Sequence, residues 1–154
     1  MYWLSKIGNM SKVEDFLTKE EEQAVVEAIR LAEKETSGEI RVHIEKTTTL
    51  ATFDRALEVF HLLKMDETEL KNGVLIYVAV KDQAFVICGD KGINDLVTTD
   101  FWDSTKEAMA AQFKDGHFKQ GLIDGISKAG AQLQKYFPFD EKDTDELSNE
   151  ISKG

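Results

Sequence analysis

The sequence predicts one α/β domain, a three-layer α/β/α sandwich around a mixed central sheet. Three observations carry this expectation. EIRVHIE at 39–45 and GVLIYVAV at 73–80 have strand character, with a helix-period segment between them. A third apolar run, at 84–88, follows after only Lys81-Asp82-Gln83. So short a gap favours an antiparallel hairpin, because a parallel return needs a long crossover. Helical periodicity at both ends of the chain then supplies apolar stripes that a sheet must cover.

The first helix opens at Thr18, which can cap it while Glu21 returns the bond, with Phe16 and Leu17 as apolar flanks. Val25, Ile29 and Ala32 share a face, and Ser37-Gly38 ends the run. In the first strand Ile40, Val42 and Ile44 alternate with Arg41, His43 and Glu45, so one face packs and the other is wetter or covered by polar contacts. His43 reads as a surface or interlayer polar residue. A second helix spans roughly 52–64, where Phe53, Leu57 and Phe60 share a face. The near-continuous apolar run 73–80 marks a central strand buried on both sides. Residues 89–100 read as a polar loop, followed by helices over about 101–114 and 118–137. Phe118, Leu122, Ile126, Ala129, Leu133 and Phe137 form the buried stripe of the last helix, and Gly121 and Gly125 imply close backbone packing there.

Residues 1–17 are expected to flank this domain, which covers 18–138. Residues 139–154 form an acidic, mobile tail in which Phe139, Leu147 and Ile151 leave room for a contact. The 154 residues include one cysteine, Cys88, which therefore has no internal disulfide partner and reads as a buried small hydrophobe. The opening MYWLSKIGNM lacks the apolar core of a signal peptide, and no stretch is long and apolar enough to span a bilayer. A cytoplasmic protein without membrane insertion is the expectation.

The formal charge of −10 disfavours nucleic acid and anionic lipid and favours basic proteins and divalent cations. No catalytic motif is complete. His43, His61 and His117 lack metal-binding spacing, and neither a serine elbow nor a phosphate-binding glycine loop is present. The segment GDKGINDLVTTDFWD is the most chemically suggestive. Asp90, Asn94, Asp95 and Asp100, with Asp103 nearby, offer hard oxygens, and Gly89 and Gly92 let the chain curl. Calcium accepts six to eight such oxygens in irregular geometry, although the spacing is not that of an EF-hand. Capping by Asp100 and ordinary turns are the competing reading.

SGEIRVHIE (37–45), NGVLIYVAV (72–80), FVICGDKGINDLVTTDFW (85–102) and FKDGHFKQGLIDGI (113–126) follow in an order that resembles the TPM-domain family, over about 20–137. The resemblance implies the α/β/α sandwich. It also implies calcium and acid phosphatase associations known for some plant members, and the membrane attachment of many bacterial ones. Carried onto this chain, it points to Asp90, Asn94 and Asp95, with Asp100 at the helix entrance. Here Lys71 stands where an acidic residue often precedes NGVL in the family. The leading expectation is a cation-binding interaction or regulatory module, with calcium ahead of magnesium and a protein partner. A metal-assisted phosphomonoesterase, with Lys71 and Lys91 near the phosphate, and a scaffold without specific metal binding remain alternatives.

Overall fold

In the computed structural model, which describes residues 1–3, 13–141 and 146–154, the two expected strands pair in parallel. β1 (Glu39–Glu45) lies beside β2 (Gly73–Ala79), with Val42 opposite Ile76. β3 (Ala84–Gly89) returns antiparallel to β2 through a turn in which Gln83 has a positive φ of 48°. Every residue of β2 is buried, as its continuous apolar run requires of a strand with neighbours on both edges and both faces. A fourth strand, β4 (Ser152–Lys153), pairs parallel with β1, and the order is β3-β2-β1-β4.

Helices cover both faces. α1 (Lys19–Ala32), α4 (Asp103–Lys114) and α5 (Phe118–Gln134) pack on one side, and α2 (Thr52–Leu62) lies on the other. The alternation in β1 sorts the layers. Ile40, Val42 and Ile44 join Val74, Ile76 and Val78 in the larger core, while Leu75, Tyr77 and Cys88 meet Ala56, Val59 and Phe60 of α2. Thr18 and Glu21 form the expected reciprocal cap of α1, through the Glu21 amide to Thr18 Oγ1 (3.1 Å) and the Thr18 amide to Glu21 Oε1 (2.9 Å). In α2 the buried positions are Ala56, Val59 and Phe60, so of the expected face only Phe60 is enclosed. Phe53 and Leu57 stand beside the sheet edge and remain 52% and 37% exposed.

Both ends of the chain contribute more than flanks. The Trp3 amide donates to the Gln83 carbonyl (2.8 Å), and the Phe85 amide donates to the Met1 carbonyl (2.8 Å). Residues 1–3 thus extend the sheet beside the start of β3. Trp3 is buried among Phe16, Phe85, Phe113 and Phe118. Residues 146–154, expected to belong to a solvating tail, instead run back to the sheet. Glu39 Oε1 accepts from the Glu146 and Leu147 amides, Ile151 packs against the larger core, and Ser152 and Lys153 form β4. The apolar residues Leu147 and Ile151 are what outweigh the acidic composition here. Residues 4–12 and 142–145 lie outside the described residues.

Candidate functional site

Asp90, Asn94, Asp95 and Asp100 follow β3 in a segment that is partly helical. α3 (Lys91–Asn94) is a single turn whose N-cap is Asp90. The cap follows from the residue type: Asp90 is extended, and its Oδ1 accepts from the Lys91 amide at 2.7 Å. The Asp90 amide donates to the Gly73 carbonyl at 2.9 Å, which fixes α3 against the start of β2. Asp90 is only 9% exposed, and its Oδ2 is buried without a hydrogen-bond partner. Such a carboxylate oxygen costs free energy unless water, a proton or a cation meets it.

The other three behave differently. Asn94 is exposed, though its Nδ2 reaches back to donate to the Gly89 carbonyl at 2.9 Å. Asp95 is exposed and pairs with Lys91 at 3.0 Å. Asp100 is exposed, accepts from the Thr98 hydroxyl, and does not cap α4, whose N-cap is Trp102. Of the four, only Asp90 is buried; Asn94, held to the Gly89 carbonyl, and Asp95 and Asp100 are exposed. Among the described residues no three His, Cys, Asp or Glu side chains gather closely enough to hold a metal.

Oxygens that the sequence pattern does not show lie at the same corner. Gly92 sits so close to the turn before β2 that a Cβ there would meet the Leu70 carbonyl oxygen, and the Lys71 carbonyl oxygen at 2.5 Å. Lys71 has a positive φ of 53°, which aims this turn at α3. Asn72 is 2% exposed with a buried Nδ2 that has no partner. Its amide can present oxygen or nitrogen by a flip about χ2. Asp90, Asn72 and the Leu70 and Lys71 carbonyls are the oxygen-bearing groups that the start of β2 and the turn after β3 contribute here. Gly92→Ala is expected to push the 70–71 turn away, costing about 1–2 kcal/mol and weakening any cation affinity, as read by denaturation and titration of the variant.

A second polar group lies under α2. Glu45, 5% exposed, accepts from Arg55 Nε (2.8 Å), Arg55 Nη2 (3.0 Å), His43 Nε2 (3.2 Å) and the Tyr77 hydroxyl. Burial pushes the Glu45 carboxyl up, but hydrogen bonds from Arg55, Tyr77 and His43 and the Arg55 charge prevail and hold it at about 2. Burial lowers the His43 pKa, partly offset by Glu45. Neutral His43 then donates through Nε2 and accepts at Nδ1 from Ser152 Oγ (3.0 Å). The polar face of β1 is covered by these contacts, and His43 is the interlayer residue that the alternation implies. Every acceptor of Glu45 is used, which suits cohesion rather than chemistry. Cys88 is likewise inert, its thiol pushed up to about 11 by burial and by Asp90.

The two lysines considered for phosphate are engaged elsewhere: Lys71 Nζ donates to the Asp66 carbonyl and Lys91 pairs with Asp95. Among the described residues no helix is long and apolar enough to cross a membrane.

No curated protein matches the chain. Among solved structures, the chain is similar to the BA42 protein of the psychrophilic bacterium Bizionia argentinensis. That similarity is 68% identity over 94% of this chain and all of the other, with a TM-score of 0.87. The N-terminal domain of a P. gingivalis protein shares the fold at 13% identity, covering 89% of this chain and 96% of the other, with a TM-score of 0.67. The N-terminal domain of the cg2496 protein of Corynebacterium glutamicum does so at 9% identity, 100% and 95% coverage, and a TM-score of 0.61. The family model described as TPM domain matches residues 10–132, and the chain belongs to the TPM-domain family.

Proposed function

We propose that this protein is a cation-binding interaction module in which calcium is held at the corner between α3 and the 70–72 turn. The observation that carries this is Asp90 Oδ2, a buried carboxylate oxygen with no partner at the end of β3, two residues before Gly92, which packs against the Leu70 and Lys71 carbonyls. Calcium takes carbonyl and amide oxygens alongside carboxylates, so one buried aspartate is compatible with a site built largely from neutral oxygen. Magnesium, which demands near-ideal octahedral geometry and keeps its waters, suits this corner less well. Asp90 supplies the charge, Asn72, Asn94 and the Leu70 and Lys71 carbonyls supply neutral oxygen, and Asp95 and Asp100 contribute a long-range field.

An ion here ties α3 to the turn before β2, so occupancy stiffens the surface that Asn94 and the following segment present to a partner. The phosphomonoesterase reading finds no comparable support, because neither Lys71 nor Lys91 is directed to Asp90. A cytoplasmic setting, consistent with a single buried and reduced Cys88, belongs to the same proposal.

The test is an NMR titration of metal-free protein with calcium, then magnesium, at constant ionic strength. Saturable shifts are expected at residues 70–73 and 89–95. Asp90→Asn keeps the helix cap, because asparagine also caps, yet removes the charged ligand. Its affinity should fall at least about tenfold, equivalent to about 1.4 kcal/mol. Shifts spread over the exposed carboxylates, unchanged in Asp90→Asn, refute the site.

A further inference from the structure

The outer edge of β3 carries main-chain groups that pair with nothing among the described residues. β3 ends the sheet order, and among the described residues its first half alone is covered, by residues 1–3. Phe85 faces outward, since its amide donates to Met1 and its carbonyl accepts from Met1 N at 2.7 Å. Alternation along an antiparallel ladder gives Ile87 and Gly89 the same outward direction. The Gly89 carbonyl is taken by Asn94. The Ile87 amide and carbonyl and the Gly89 amide have no partner among the described residues. An uncovered edge of this kind is a template for another strand.

The surroundings have the shape of a strand. A groove of about 380 Å³ runs along residues 86–89. Phe53 and Leu57 of α2 form one wall, on one side of the sheet, and Val97 and Trp102 form the opposite wall. Side chains of an inserted strand alternate between sheet faces, so successive residues would meet the two apolar walls in turn. The exposed parts of Phe53 and Leu57 thereby gain a role. Flanked by these walls, the edge suits a thin, extended segment. Among the described residues the one charge in the lining, Lys106, is paired with Asp103 at 3.4 Å, and Asp95 is paired with Lys91; Asp54, Asp90 and Asp100 adjoin lining residues in sequence, in a chain of net charge −10. Positive flanks on the incoming segment complement them.

We propose that this groove binds an extended peptide segment of a protein partner as an added strand, antiparallel to β3 and in line with residues 1–3, apolar at its centre and flanked by Lys or Arg. Main-chain hydrogen bonds to Ile87 and Gly89 supply register, and the two walls select side chains. Its main-chain and apolar contacts do not depend on the cation reading; only the charged flanks meet residues of that site.

The probe is the peptide acetyl-Lys-Val-Thr-Val-Leu-Lys-amide, titrated to millimolar concentration into the isotope-labelled full chain, without metal and again with calcium. A copy N-methylated at its central amides keeps every side chain but cannot pair through those groups. Saturable shifts are expected at Ile87, Gly89, Leu57 and Trp102, with exchange of the Ile87 amide slowed about tenfold or more. The N-methylated copy and the Leu57→Glu variant should each bind at least about tenfold more weakly, about 1.4 kcal/mol. Leu57 is exposed enough for that variant to fold, and its unliganded spectrum checks this. Absence of saturation, shifts outside the groove, or equal binding of the N-methylated copy overturns the proposal in either metal condition.

Discussion

Glu45→Ala is expected to destabilise the fold by about 3 kcal/mol, the lower end of what breaking a buried ion pair costs. The low end applies because the Arg55 side chain is 26% exposed and keeps Glu58 at 2.9 Å, so its charge is not stranded. What is stranded is the Tyr77 hydroxyl and His43 Nε2, both buried and both donating to Glu45. Chemical denaturation of the variant gives the number. The pH dependence has a defined sign. A carboxyl ordinarily near 4.5 and held at about 2 in the folded chain adds stability that is complete above pH 4.5 and is lost as pH falls towards 2. His43, lowered from 6.5, acts in the same direction: its contribution is whole above that value and declines as acid protonates the unfolded chain first. Glu45→Gln should therefore remove much of the slope between pH 2 and 4.5 while leaving the part that begins near 6.5. A variant with the wild-type slope would show that other carboxylates govern acid unfolding.

Gly125→Leu is expected to cost about 3 kcal/mol, the upper part of the range for overpacking. Gly125 is buried in α5 against α4, and a Cβ there would meet Met109 Sδ, with Met109 Cγ at 2.8 Å. Met109 is fully buried, so although methionine is flexible it has little room to yield. One turn earlier a Cβ on Gly121 would meet Phe113 Cδ1 at 2.5 Å, and Phe113 is also fully buried. The two helices therefore approach along a strip where only glycine fits, and separating them would disturb the aromatic cluster around Trp3. Chemical denaturation of the purified variant measures the effect; unchanged stability would mean that α4 and α5 part at no cost.

Much of this architecture is legible before any coordinates. The alternation of β1, the unbroken apolar run of β2, the three-residue gap before β3 and the paired glycines of α5 each encode a local constraint with one satisfying arrangement. β4 is not legible, because two residues carry no periodicity and the acidic composition around them suggests solvent. The burial of α2 is misjudged for a different reason: apolar residues occupy most of its circumference, so Phe53 and Leu57 compete on equal terms with Ala56 and Val59 for the core. The site is half legible. Composition draws attention to Asp90, Asn94, Asp95 and Asp100, but proximity in sequence does not tell which carboxylates turn inward. Only Asp90, the N-cap of α3, does so, while Asp95 and Asp100 remain exposed. Asn72 and the carbonyls of Leu70 and Lys71 have no spacing signature at all. Gly92 was their one trace, a glycine whose missing side chain admits another stretch of backbone.

The most direct test of a cation at Asp90 is an anomalous-scattering map from crystals grown or soaked with calcium. A peak about 2.3–2.6 Å from Asp90 Oδ2, the calcium–oxygen distance, with further oxygens of residues 70–72 or 94 at the same range, is the predicted result. Ions found only on exposed carboxylates such as Asp95 and Asp100, with a water against Asp90 Oδ2, would contradict it.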